Sequence, residues 1–165
     1  MKRLIFALIV SLGMYAPALH ASPDMAKMWG EEASFLEADT VNLITALDRG
    51  GDYAPSDAYI LNVSRFGRTS KMLASWNDAS GGPQDLGCIL RGMSTEAEDQ
   101  TLGLIDAESS SDARTHLKRL EGMFADAQLI ARAAEAQSAT PTLSGNHRGN
   151  EACPMELEAA RRALQ

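Results

Sequence analysis

Ala113, Leu117, Leu120, Phe124, Ala127, Ala131 and Ala134 follow one another at steps of 4-3-4-3-4-3. On a helix of 3.6 residues per turn such steps keep every side chain on one narrow face, the seam of a closely packed helix. A chain carrying this stretch must supply other helices to cover it.

Three earlier segments show the same periodicity. The first carries Met25, Met28/Trp29, Ala33, Leu36, Leu43 and Leu47, opens at Ser22-Pro23-Asp24 and stops at Gly50-Gly51. The second carries Tyr59/Ile60, Val63, Phe66, Leu73 and Ala74, opens at Pro55-Ser56-Asp57 and stops at Gly81-Gly82. The third begins at Pro83 and carries Leu86, Ile89/Leu90, Met93, Ala97 and Leu104/Ile105. Within it Gly92 and Thr95-x-x-Glu98 form an internal capping signal, so a break or kink is expected near residue 93. Ser111-Asp112 is the expected cap of the fourth helix.

Four helices of roughly 25 residues, each near 37 Å at 1.5 Å per residue and joined by short loops, describe an all-α, up-down four-helix bundle over residues 22–136. Residues 137–150 (QSATPTLSGNHRGN) form a polar linker, and 151–165 a short C-terminal helical segment expected to pack on the bundle. Charge agrees with a ring ordered 1-2-3-4. Segments one and three are acidic while two and four are nearly balanced, so each acidic helix meets only neutral or basic neighbours.

The N-terminus predicts export. Lys2 and Arg3 precede the apolar run LIFALIVSL (4–12), and alanines at 16, 18 and 21 offer cleavage after Ala18 or Ala21, with Ala21 preferred. The run is shorter than the roughly 20 residues a membrane anchor needs. No later stretch reaches that length, so no integral membrane segment is expected after processing. Removing 21 of 165 residues leaves 144, enough for one domain. It also removes two of the 15 basic residues, leaving 13 against 22 acids, a net of −9. Such a field disfavours nucleic acid and anionic membrane surfaces. The expected location is the periplasm or the medium.

Two cysteines in an exported chain are expected to pair, so a Cys88–Cys153 disulfide should tether the C-terminal segment. About 200° round the third helix from Leu86, Cys88 is expected on the flank of the bundle.

Chemistry-bearing motifs are scarce. The chain contains no CxxCH, no ExxH pair of the kind di-iron bundles use, and no GxSxG, SxxK or HExxH. The acidic loop from Asp48 to Asp57 has Tyr59 where a calcium loop would place its bidentate Glu. His116 reads as a half-buried side chain at the bundle edge, and His147 as a linker residue facing water. Methionines 25, 28, 72, 93, 123 and 155 are spread over different elements, so they read as core gap-fillers rather than soft copper ligands. No metal, haem or other cofactor and no catalytic residue is assigned.

The expected function is therefore non-enzymatic: an exported helical bundle acting through contact with another protein. The alternative is a bundle that holds a small molecule, metal or haem. Arg65, Arg68 and Lys71, with Trp76 beyond them, form the candidate contact strip, because Arg and Trp are enriched at interface hot spots. A contact protein should pack tightly inside and expose an apolar patch. A carrier should enclose a lined cavity.

Overall fold

Gly50-Gly51 and Gly81-Gly82 end two helices in the same way. Gly50 and Gly81 take φ of 78° and 71°, a region that favours glycine. In each pair the second glycine N–H donates five residues back, Gly51 to Ala46 O and Gly82 to Asn77 O (2.9 and 2.8 Å), while the first donates to Leu47 O or Asp78 O. This double closure is the Schellman arrangement, which satisfies helix-end carbonyls and turns the chain sharply.

The computed structural model describes residues 23–51 and 54–138. Over these residues the chain is all helical: α1 (Pro23–Asp48), α2 (Asp57–Ala79), α3 (Gln84–Ile105) and α4 (Ser110–Ser138). Residues 1–22 and 139–165 lie outside the described residues, and with them the expected signal peptide, most of the expected linker, the expected C-terminal helical segment and Cys153.

The helices close in the ring order α1-α2-α3-α4, with no close backbone approach across either diagonal among the described residues. Two seams are tight. Along α1/α4, Ala26, Ala33, Ala127 and Ala131 are buried, and a Cβ placed on Gly30 would lie 2.6 Å from the Ala131 Cβ. Along α2/α3, a Cβ on Gly67 would meet Ala97 Cβ at 3.1 Å. Small residues let these backbones come together, whereas the α1/α2 seam is the least extensive of the four. That inequality shapes the surface.

Aromatic rings fill the middle. Trp29 stacks on Phe66 at 4.9 Å, and Phe66 meets Phe124 edge-on at 5.1 Å. Trp29 Nε1 donates to Ser70 Oγ (2.9 Å), whose hydroxyl donates to Phe66 O (3.0 Å), so the buried indole N–H is satisfied. Thr40 Oγ1 donates to Leu36 O (2.6 Å) and shares a hydrogen bond with the Tyr59 hydroxyl (2.7 Å).

Six of the seven seam residues of α4, Ala113, Leu117, Leu120, Phe124, Ala127 and Ala131, are buried, as their spacing requires. Four other expectations need correction. The third helix runs unbroken from Gln84 to Ile105, and Thr95 Oγ1 donates back to Arg91 O instead of capping. Burial of Met93 and Ala97 astride the expected break outweighs the local signal. Helix four is capped by Ser109, not by Ser111-Asp112: Ser109 Oγ accepts from Asp112 N (3.2 Å) and donates to its carboxylate (2.6 Å). In α1 the deep residues at the C-terminal end are Thr40 and Ile44, while Leu43 and Leu47 are half-buried. Cys88, finally, is not on the flank. It is 3% exposed, one of five consecutive buried residues from Leu86 to Leu90. A helical wheel fails there because that end of α3 is covered on several sides.

Candidate functional site

Where α1 and α2 diverge, a groove of about 930 Å³ opens to solvent. Its apolar lining includes Met25, Met28, Phe35, Leu36 and Met72. Phe35 is 75% exposed, Met28 67% and Met72 57%, high values for large apolar side chains. Leu61, also exposed, continues the outer face of α2 beyond the groove. Contiguous exposed apolar surface with a polar rim marks interaction sites on soluble proteins.

The rim is acidic. Asp24, Glu31, Glu32 and Asp39 line the groove against one cation, Arg65. Arg65 Nε donates to Glu32 Oε1 at 2.7 Å, so that cation is engaged across the seam. The uncompensated charge of the groove is therefore negative.

Register fixes which residues face each other. Trp29 meets Ser70, Glu32 meets Arg65, and Thr40 meets Tyr59. Continued toward the start of α1, this antiparallel alignment places Met72 level with Met25 and Met28. Three thioethers thus share one end of the groove.

The residues singled out by sequence do not form one strip. At about 100° per residue, Arg65 and Lys71 point about 120° apart. Arg65 joins the α1/α2 groove, and Arg68 lines a separate α2/α3 groove of about 390 Å³ beside Glu98. Lys71 is exposed, and Trp76 is half-buried against the core. His116 is half-buried at the bundle edge, as expected, where its Nδ1 hydrogen-bonds Gln100 Oε1 (2.7 Å) and its ring packs against Gly103.

The larger omission concerns α1. The sequence reads Met28 as a core residue, yet both Met28 and Phe35 face out. The available signal was phase. Phe35 lies about 120° from Trp29, and Met28 about 100° from it, off the Trp29–Leu36–Thr40 line. The reading of all methionines as core fillers holds for Met93 and Met123 (6% and 7% exposed) but not for Met28 and Met72.

Among the described residues, no group of three or more His, Cys, Asp and Glu side chains is placed to hold a metal ion. No described helix is long and apolar enough to cross a membrane. Fold and groove together define a helical bundle with an open, acid-rimmed apolar cleft between two of its helices. No protein-family model, curated protein or solved structure matches the chain.

Proposed function

We propose that the chain is an exported, non-enzymatic helical bundle that acts by protein–protein contact, and that the α1/α2 groove is its contact surface. The observation that carries this reading is the outward placement of Phe35, Met28 and Met72 around one cleft. The aromatic core is filled by Trp29, Phe66 and Phe124, and the cleft is open, which favours surface contact over an enclosed ligand.

Charge selects the partner. Four rim carboxylates on a chain of net −9 after processing repel a second copy and attract cations. The fitting occupant is an amphipathic helix of a partner protein, apolar on one stripe and flanked by Lys or Arg, laid along the cleft.

Export rests on the Lys2-Arg3 start, the short apolar run and the alanine cleavage sites, and it places the mature chain in the periplasm or the medium. The Cys88–Cys153 bond belongs to the same reading. Cys88 lies near the start of α3, at the pole of the bundle where α4 ends at Ser138, and 14 residues, 139 to 152, separate Ser138 from Cys153 in the sequence.

The test uses the mature chain, ¹⁵N-labelled, titrated with a synthetic Leu/Lys amphipathic helix. Contact in the cleft shifts amide resonances between residues 24 and 39 and between 61 and 72. An isosteric Leu/Glu peptide should leave the spectrum unchanged. Shifts spread over the whole acidic surface, or confined to the α3/α4 side, would overturn the assignment of the groove.

A further inference from the structure

Methionine is used unevenly in this chain. Of the six beyond residue 21, Met93 and Met123 fill the core, Met155 lies outside the described residues, and Met25, Met28 and Met72 line one groove. The last three also share a level, because the pairings Trp29–Ser70 and Glu32–Arg65 run on to bring Met72 opposite the first turns of α1.

An apolar contact patch needs area, which leucine supplies as well. What methionine adds is a polarisable thioether sulfur on a side chain with three rotatable bonds. Met28 and Met72 hold that sulfur at positions 67% and 57% exposed, where core filling gives no reason for it. Met25, half-buried against the core, supplies the fixed side of the cluster.

We infer that Met25, Met28 and Met72 form a three-thioether site for a soft monovalent metal ion, Cu(I), at the open end of the α1/α2 groove. Thioethers are soft donors that suit Cu(I), whereas carboxylate and water suit hard divalent ions and imidazole suits zinc. The donors are neutral, so the bound ion keeps its positive charge. Asp24 and Glu31, lining the same groove, lower the electrostatic cost of holding it there. The step is ligand exchange alone: the ion sheds solvent or carrier ligands, and neither metal nor protein changes oxidation state.

This inference does not rest on the contact reading, because the metal titration is read without the peptide. Methionine to leucine removes the sulfur and keeps the apolar area and volume nearly constant. The experiment titrates the mature chain with Ag(I), a redox-inert stand-in, and with Cu(I) under anaerobic reducing conditions. Stoichiometry is read by native mass spectrometry, and ligation by the ¹³C shifts of the methionine methyl groups. One ion per chain is expected, with large shifts at Met25, Met28 and Met72 and small ones at Met93 and Met123. Met28→Leu and Met72→Leu should each weaken binding by at least about tenfold, that is about 1.4 kcal/mol. The triple leucine variant should lose the stoichiometric ion while keeping its helicity. Zn(II) should not displace Ag(I). Absence of a 1:1 complex, retention of it by the triple variant, or equal occupancy by Zn(II) would overturn the site.

Discussion

Tyr59 is the described residue whose ionisation folding perturbs most clearly. Burial among apolar groups raises its pKa to about 12 from 10.0, with the hydrogen bond to Thr40 opposing the shift and the Asp39 carboxylate adding to it. The neutral phenol is the form the fold accommodates. Its contribution is fully present below pH about 10 and is lost as pH rises toward 12, because the unfolded chain releases this proton first. An alkaline unfolding limb should therefore begin near pH 10 in circular dichroism, and Tyr59→Phe should flatten it. At neutral pH the same variant should cost about 1 kcal/mol, the usual value of one hydrogen bond. Glycines give a second residue-scale test. Gly30→Ala forces a methyl against Ala131, the deepest close approach of α1 and α4, whereas a Cβ on Gly122 meets nothing within 4 Å. In chemical denaturation, Gly122→Ala should stabilise by roughly 0.5–1 kcal/mol through helix propensity, and Gly30→Ala should destabilise by roughly 1–3 kcal/mol through overpacking.

Helices were the most legible elements, because periodicity and punctuation agree. Gly50-Gly51 and Gly81-Gly82 mark the two turns they were read to mark, and Ser56 caps α2 by accepting from Tyr59 N (3.2 Å). Ser56→Ala should lower stability by about 1 kcal/mol, measured by thermal melting. Errors fell where tertiary burial competes with a local rule. The capping signal at Thr95 is overruled by packing on either side, and Cys88 is buried despite its phase because its end of α3 is covered all round. The basic strip dissolved for a geometric reason: residues spaced by three drift round the helix, so Arg65 and Lys71 diverge. Arg65 in consequence belongs to the seam. Reversing it (Arg65→Glu) sets a carboxylate against Glu32 and should cost under about 1 kcal/mol, since the arginine is mostly exposed. If the disulfide forms as proposed, Cys153→Ser should lower the melting temperature while the helical signal of α1 to α4 persists.

Across the bundle, an ion pair between described residues bridges each of the four adjacent seams: Glu32–Arg65, Asp78–Arg91, Glu96–Arg119 and Asp48–Arg114. In three of them the acid comes from α1 or α3 and the base from α2 or α4. The charge imbalance of the segments had indicated this ring order. The groove was not legible, because it arises from a difference between seams. Small residues draw α1 to α4 and α2 to α3, and the space left between α1 and α2 depends on how far each pair closes. Composition hints at it only through an acidic α1 that carries an apolar Phe35 out of phase. The contact reading stands on that residue and its neighbour Met28. The most direct measurement is the affinity of a fluorescein-labelled Leu/Lys amphipathic peptide for the mature chain, read by anisotropy against Phe35→Ala with Met28→Ala. The account predicts that the double variant melts like the wild type, since both side chains are exposed, yet binds at least about tenfold more weakly, a loss of about 1.4 kcal/mol. Equal affinity of wild type and double variant would show that the peptide is held by charge alone, and would contradict the groove as the contact surface.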